Sequence, residues 1–214
     1  MIQFITVMAL ALLPNIAFDE NEAKLKKVTP ASETYPISSC AVAGKALGSM
    51  GAPFVHIHEG RQVKFCCKAC LPAFKKNPAK YLAKVDEKIV AQQKAGYPTD
   101  KCLFSDEPLG DKSKDVVVNN RLVRVCCGGC ARKLMKNPAP TLKKLDELII
   151  ANQGKKYPTT KCVISGEDLG SMGKPKDVIV ANTLVRVCCK GCVKKVTDNP
   201  ADAVKKLQKA KMKK

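Results

Sequence analysis

Twelve cysteines are the residues of this 214-residue chain best equipped for chemistry. Nine of them form three Cys-Cys-x-x-Cys clusters: Cys66, Cys67 and Cys70; Cys126, Cys127 and Cys130; Cys188, Cys189 and Cys192. The other three, Cys40, Cys102 and Cys162, each stand alone upstream of a cluster. Cysteines three or four residues apart on a helix share one face, so the members of a cluster can converge on one point. A hairpin that reverses the chain brings the upstream cysteine to the same point. Four thiolates in a tetrahedron suit Zn²⁺, and two or three suit Cu⁺. All twelve are therefore candidate metal ligands, one ion per repeated set, about three per chain.

Two other uses of cysteine compete with this reading. Disulfides would staple a small exported domain, and twelve is an even number. Adjacent cysteines such as Cys66 and Cys67, however, bridge each other only with strain. A redox Cys-x-x-Cys site would need a thioredoxin-like fold, for which each repeat is too short, and the upstream cysteine has no place in it.

The elements that must position these thiols recur with them. Tyr-Pro occurs at Tyr35-Pro36, Tyr97-Pro98 and Tyr157-Pro158, and Asn-Pro at Asn77, Asn137 and Asn199. Cys40 to Cys102 is 62 residues and Cys102 to Cys162 is 60. After each lone cysteine comes a loop, Gly-rich in the first and third copies. Two short β-branched runs follow, joined by a tight polar turn such as Glu59-Gly60 or Asn119-Asn120, a hairpin signal. The cluster then sits where the second strand ends and a helix begins. Asn-Pro supplies an N-cap and a first-turn proline for another helix. Its apolar face runs Leu82, Val85, Ile89 in copy one and Leu142, Leu145, Ile149 in copy two. Polar stretches such as Gln92 to Gly96 read as connections, so the expected architecture is three tandem α+β beads. Each has about 60 residues, a size at which a core alone is marginal. The boundaries are 1–17 for a signal peptide, 18–34 for a linker, then repeats at 35–96, 97–156 and 157–214, the last with a Lys-rich tail.

The run from Tyr157 through Cys162 to Gly166, with Leu184-Val-Arg-Val-Cys188-Cys189-Lys-Gly-Cys192 and Asn199-Pro200, resembles the TRASH/YHS-type heavy-metal-binding domains. All three copies match, so the resemblance covers residues 35–214. It implies a treble-clef-like fold with the upstream cysteine and the Cys-x-x-x-Cys pair as ligands. These are Cys40, Cys66 and Cys70; Cys102, Cys126 and Cys130; Cys162, Cys188 and Cys192. It also implies a role in sensing, trafficking or resistance to metals such as copper, zinc or mercury. The extra Cys67, Cys127 and Cys189 depart from the pattern, which leaves coordination open between three and four thiolates.

Composition bounds the rest. Lys+Arg total 38 against 19 Asp+Glu, a net charge of +19. Hydrophobic residues make up 45% and aromatics only 5%, with no Trp. A collagenous, coiled-coil or multi-spanning chain is excluded. A protein partner or an anionic surface fits the charge, and nucleic acid ranks behind them because few rings are present for base stacking. Met1 to Phe18 carries no charged side chain and is too short to span a bilayer. It reads as an export signal cleaved near Ala17, placing the protein in the periplasm or outside the cell. Lys64, Arg124 and Arg186, each two residues before a cluster, are expected to favour thiolates. His56 and His58 share a strand face, read as half exposed with an auxiliary copper site as the alternative. Met50 and Met172 are expected to pack their loops, with a thioether ligand favouring Cu⁺ as the alternative. No nucleophile–base constellation or phosphate loop appears, so the chain does not read as an enzyme.

Overall fold

The computed structural model describes residues 34–212. The expected signal peptide and, but for Thr34, the linker lie outside the described residues. The fold is α+β: three hairpins, each followed by two helices, in three repeats that each carry a cysteine cluster.

Every repeat opens on a tight knuckle. The Cys40 N–H donates to the Lys45 carbonyl at 2.7 Å, Cys102 to Glu107 at 2.8 Å and Cys162 to Glu167 at 2.7 Å. Closing so short a loop needs one left-handed residue four positions after the cysteine. Gly44 (φ 69°), Asp106 (φ 55°) and Gly166 (φ 80°) supply it.

The hairpins are β1 (Phe54–His58) with β2 (Arg61–Phe65), β3 (Lys114–Val118) with β4 (Arg121–Val125), and β5 (Lys176–Val180) with β6 (Thr183–Val187). Register is the same throughout: His56 faces Val63, Val116 faces Val123 and Val178 faces Val185. Both turn residues have positive φ in every copy, the geometry that matches the twist of paired strands.

The short helices α1 (Cys70–Lys76), α3 (Gly128–Lys136) and α5 (Lys190–Asp198) start beside the clusters. The longer α2 (Pro78–Lys94), α4 (Ala139–Lys155) and α6 (Pro200–Met212) follow. The Asn-Pro cap holds in two copies. Asn77 accepts from the Lys80 amide at 3.1 Å and Asn199 from Asp202 at 3.4 Å. Asn137 does not cap α4. Its partner three residues on would be Pro140, which has no N–H to donate.

Each repeat has its own core, built on matching positions. Val63, Phe65, Phe74, Val85 and Ile89 fill the first, and Val123, Val125, Leu134, Leu145 and Ile149 the second. In the third, Val185, Val187, Val196 and Leu207 repeat four of these positions, and Ala203, one turn before Leu207, replaces the fifth, whose counterpart is Lys211. The repeats also pack on one another. Val117 packs on the first core, and Leu184 belongs to the second. Gln93, expected in a linker, lies in α2 and is 5% exposed. Its side chain accepts from the Leu122 amide at 2.9 Å and donates to the Asn120 carbonyl at 3.1 Å. Gln153 repeats both bonds, to Leu184 and Asn182. Such a glutamine satisfies the backbone of the next hairpin's inner strand, where a solvent-facing strand would use water.

Candidate metal centre

Three elements carry the ligands in each repeat. The lone cysteine sits on the knuckle, the next follows the hairpin's second strand directly, and the last occupies the first turn of α1, α3 or α5. In this arrangement Cys40, Cys66 and Cys70 bring their Sγ atoms within 4.8 Å of one another. Cys102, Cys126 and Cys130 do the same, as do Cys162, Cys188 and Cys192. Cys66 and Cys70 are 3.7 Å apart, Cys126 and Cys130 3.7 Å, Cys188 and Cys192 3.8 Å, and Cys40 and Cys70 3.8 Å. A tetrahedron with Zn–S bonds of about 2.3 Å has edges of about 3.8 Å. The separations of 3.7–3.8 Å match edges of such a tetrahedron, two in the first group and one in each of the others. A disulfide, at about 2.05 Å, would need far closer approach, and all twelve cysteines are unbridged.

The thiols divide into two kinds. Burial pushes the Cys102 thiol up, but hydrogen bonds from the Cys126 amide, the Ser105 hydroxyl and the Phe104 and Ser105 amides outweigh it. They bring Cys102 down to about 6. Cys162 is likewise brought down to about 6, burial being outweighed by the Ser165 hydroxyl and amide and by the amides of Cys188 and Ile164. Burial, followed by the neighbouring sulfurs, pushes Cys130, Cys192 and Cys70 up to about 12. Near neutral pH, centres 2 and 3 each hold a thiolate hydrogen-bonded among thiols. A cation entering such a centre must expel the remaining protons.

Cys67, Cys127 and Cys189 lie outside the three-sulfur groups. Cys127 is exposed, and Cys67 and Cys189 are half-buried. Cys127 and Cys189 hold extended backbone at the starts of α3 and α5. The amides of Cys130 and Cys192, first among several donors, hold these two thiols below their ordinary value.

The cations before the clusters do not serve the thiols as expected. Arg124 Nε bonds Asp115 and Arg186 Nε bonds Asp177, each at 2.9 Å across the hairpin. Their guanidinium carbons sit 5.9 and 5.4 Å from the ring centres of Tyr97 and Tyr157. The hydroxyls of those tyrosines accept the Arg124 and Arg186 amides at 3.0 and 2.7 Å. The Tyr-Pro motif thus ties the starts of repeats 2 and 3 to their hairpins through the ring hydroxyl. In repeat 1 the Tyr35 hydroxyl donates instead to the Ser39 carbonyl at 3.0 Å, and its amide to Gln62 Oε1 at 2.9 Å. Spacing alone marked the motif only as a repeat signature. Lys64 lines a cleft of about 440 Å³ between the first hairpin and the α5–α6 corner. Burial there pushes its ammonium down, opposed by Asp198.

His56 and His58 are half-buried, as expected, with ring centres 6.4 Å apart. Both pack edge-on against Phe74, at 5.9 and 5.3 Å. Met50 and Met172 are 57% and 65% exposed, so they do not pack their loops as expected. Sequence reasoning missed Ser105 and Ser165, whose hydroxyls lie 3.4 Å from Cys126 and Cys188 Sγ. The signal was present as a Cys-x-x-Ser spacing in copies two and three alone.

Comparison with protein families, curated proteins and solved structures finds no match to this chain. The three cysteine groups can hold metal ions, and that capacity comes from their geometry. Among the described residues no helix is long and apolar enough to cross a membrane.

Proposed function

We propose that this protein is an exported, non-catalytic carrier of soft metal ions, holding one Zn²⁺ or Cu⁺ per repeat. It acts in heavy-metal sequestration, trafficking or resistance, in the manner of the TRASH/YHS-type domains its motifs resemble. The observation that carries the reading is the threefold recurrence of a group of three Sγ atoms within 4.8 Å. Cys40, Cys66 and Cys70 hold the first ion, Cys102, Cys126 and Cys130 the second, and Cys162, Cys188 and Cys192 the third. Cys67, Cys127 or Cys189 is the nearest supply of a fourth thiolate. The bound ion supplies charge neutralisation for the thiolates; the protein supplies their spacing and a dry wall of core side chains.

A second reading has its own support. Seven of the nine grouped cysteines are buried with the repeat cores, as in structural zinc domains. In that case the metal is permanent scaffold, and a basic surface meets a protein partner, an anionic surface or nucleic acid.

Elemental analysis with thiol counting, on chain purified anaerobically without added metal, tests both. About three ions per chain, with thiols appearing only on chelation or denaturation, supports metal binding. No metal before or after reconstitution, together with six disulfides, overturns it. Unfolding on chelation selects the scaffold, and metal exchange without unfolding selects the carrier.

A further inference from the structure

The three centres are alike in nearly every respect. The knuckle bond, the hairpin register and the sulfur separations of 3.7–3.8 Å recur. Among the positions where they differ is the one three residues after the lone cysteine. Copies two and three have Ser105 and Ser165 there, and copy one has Ala43. Ser105 Oγ lies 3.4 Å from Cys126 Sγ, and Ser165 Oγ lies 3.4 Å from Cys188 Sγ. Each hydroxyl therefore reaches from the knuckle, which carries one ligand, to the end of the strand, which carries the next. Ala43 has only its amide to offer, and that amide bonds Cys40 Sγ at 3.3 Å, within the knuckle itself.

Resting on the metal-binding reading, we propose that the centres form two classes. Repeats 2 and 3 retain their ions, and repeat 1 is the exchangeable site. Ser105 and Ser165 are the positioning residues that separate the classes. A ligating thiolate keeps lone pairs after binding a cation, and a hydroxyl aimed at one of them disperses its charge and fixes the sulfur's direction. Removing such an outer partner typically weakens metal binding about 10–100-fold. Copy one lacks that partner by sequence, so its ion leaves first. The chain then behaves as a two-ion store with a single donating position, rather than as three equal sites.

The test uses the full-length chain, reduced and metal-free, loaded with Zn²⁺ and titrated with a chromophoric chelator. The expected result is one ion released about 10–100-fold more readily than the other two. Ala43→Ser should remove that gap by tightening the weak site. Ser105→Ala with Ser165→Ala should remove it from the other side, by weakening the strong pair. All three positions are exposed, so circular dichroism should show every variant folded. Three ions released together from the unaltered chain would overturn the two classes and leave the metal-binding reading standing. So would an Ala43→Ser chain whose weak site is unchanged. A chain that takes up neither Zn²⁺ nor Cu⁺ would overturn the metal-binding reading itself.

Discussion

Asn182 donates its side-chain amide to the Leu122 carbonyl at 2.7 Å, reaching from the tip of the third hairpin into the backbone of the second. Its Oδ1 accepts Arg121 Nε at 3.1 Å. Arg121, 1% exposed on its side chain, also pairs with Asp146 on α4. One repeat earlier, Asn120 donates to the Gln62 carbonyl at 2.8 Å and accepts Arg61 Nε at 2.7 Å. Arg61 pairs with Asp86 on α2. The same joint is made twice, and it converts marginal 60-residue units into a stack in which each repeat supports the next.

Asn182→Ala should therefore be costly for an exchange at a hairpin tip. It removes the Asn182 partner of the Leu122 carbonyl in a buried setting, at about 1–3 kcal/mol, and one of the two partners of the Arg121 guanidinium, which keeps Asp146. It also puts alanine at φ 63°, worth about 1 kcal/mol more. Asn182→Gly, which keeps the turn, isolates the side-chain share. Denaturant unfolding of both variants reads the difference, and equal stability to the unaltered chain would show that the joint is idle.

Repeat caps offer an internal control. Asn77→Ala should cost about 1 kcal/mol, the value of an N-cap. Asn137→Ala should change stability by less than about 0.5 kcal/mol, because α4 has no side-chain cap and the backbone bond from Asn137 to the Lys133 carbonyl survives the exchange. Thermal melts of the two variants side by side decide the matter, and equal losses would contradict the capping assignment.

The thiol electrostatics predict a pH dependence in the reduced, metal-free chain. Cys102 and Cys162 fall from an ordinary 9.0 to about 6 in the fold. A lowered pKa means the unfolded chain holds more protons between those values, so stability should rise with pH across that window. The contribution is complete above pH 9 and is lost as pH falls through 6. Cys130 and Cys192, raised to about 12, act oppositely only above pH 9. Urea unfolding at pH 5.5, 7 and 8.5, with thiolate absorbance near 240 nm, follows both effects; a flat profile would contradict the assignment.

Single ligand removal should subtract single ions. Cys126→Ser leaves the Cys40 and Cys162 groups intact, so bound metal should fall from about three ions per chain to about two. Cys127→Ser, outside the group, should keep all three. Elemental analysis distinguishes the two, and loss of an ion in Cys127→Ser would make that sulfur a required ligand.

Loss of metal should also loosen the fold locally. The knuckle, strand end and helix start in each repeat meet at the sulfurs, so a bound ion crosslinks three elements. Saturation with Zn²⁺ at 100 times its dissociation constant adds about 2.7 kcal/mol per site. A melting temperature independent of added metal would argue against binding at these centres.

The repeats, the hairpins with their turn residues and the convergence of the upstream cysteine on its cluster follow from local pattern. Turn chemistry and β-branched alternation depend on near neighbours, and a cysteine on a knuckle has few places to go once the hairpin reverses. The tertiary structure alone decided what local pattern leaves open. Gln93 is polar, at a helix end, and reads as solvent-facing; it is buried because the next hairpin presents an amide and a carbonyl to it. Arg124 and Arg186 stand two residues from thiols in sequence, yet their strand directs them to Asp115 and Asp177 across the hairpin. Cys127 adjoins Cys126 in the chain, but the start of α3 leaves it exposed and outside the sulfur group. In each case the partner is distant in sequence or on another element, and spacing along one chain carries no record of it.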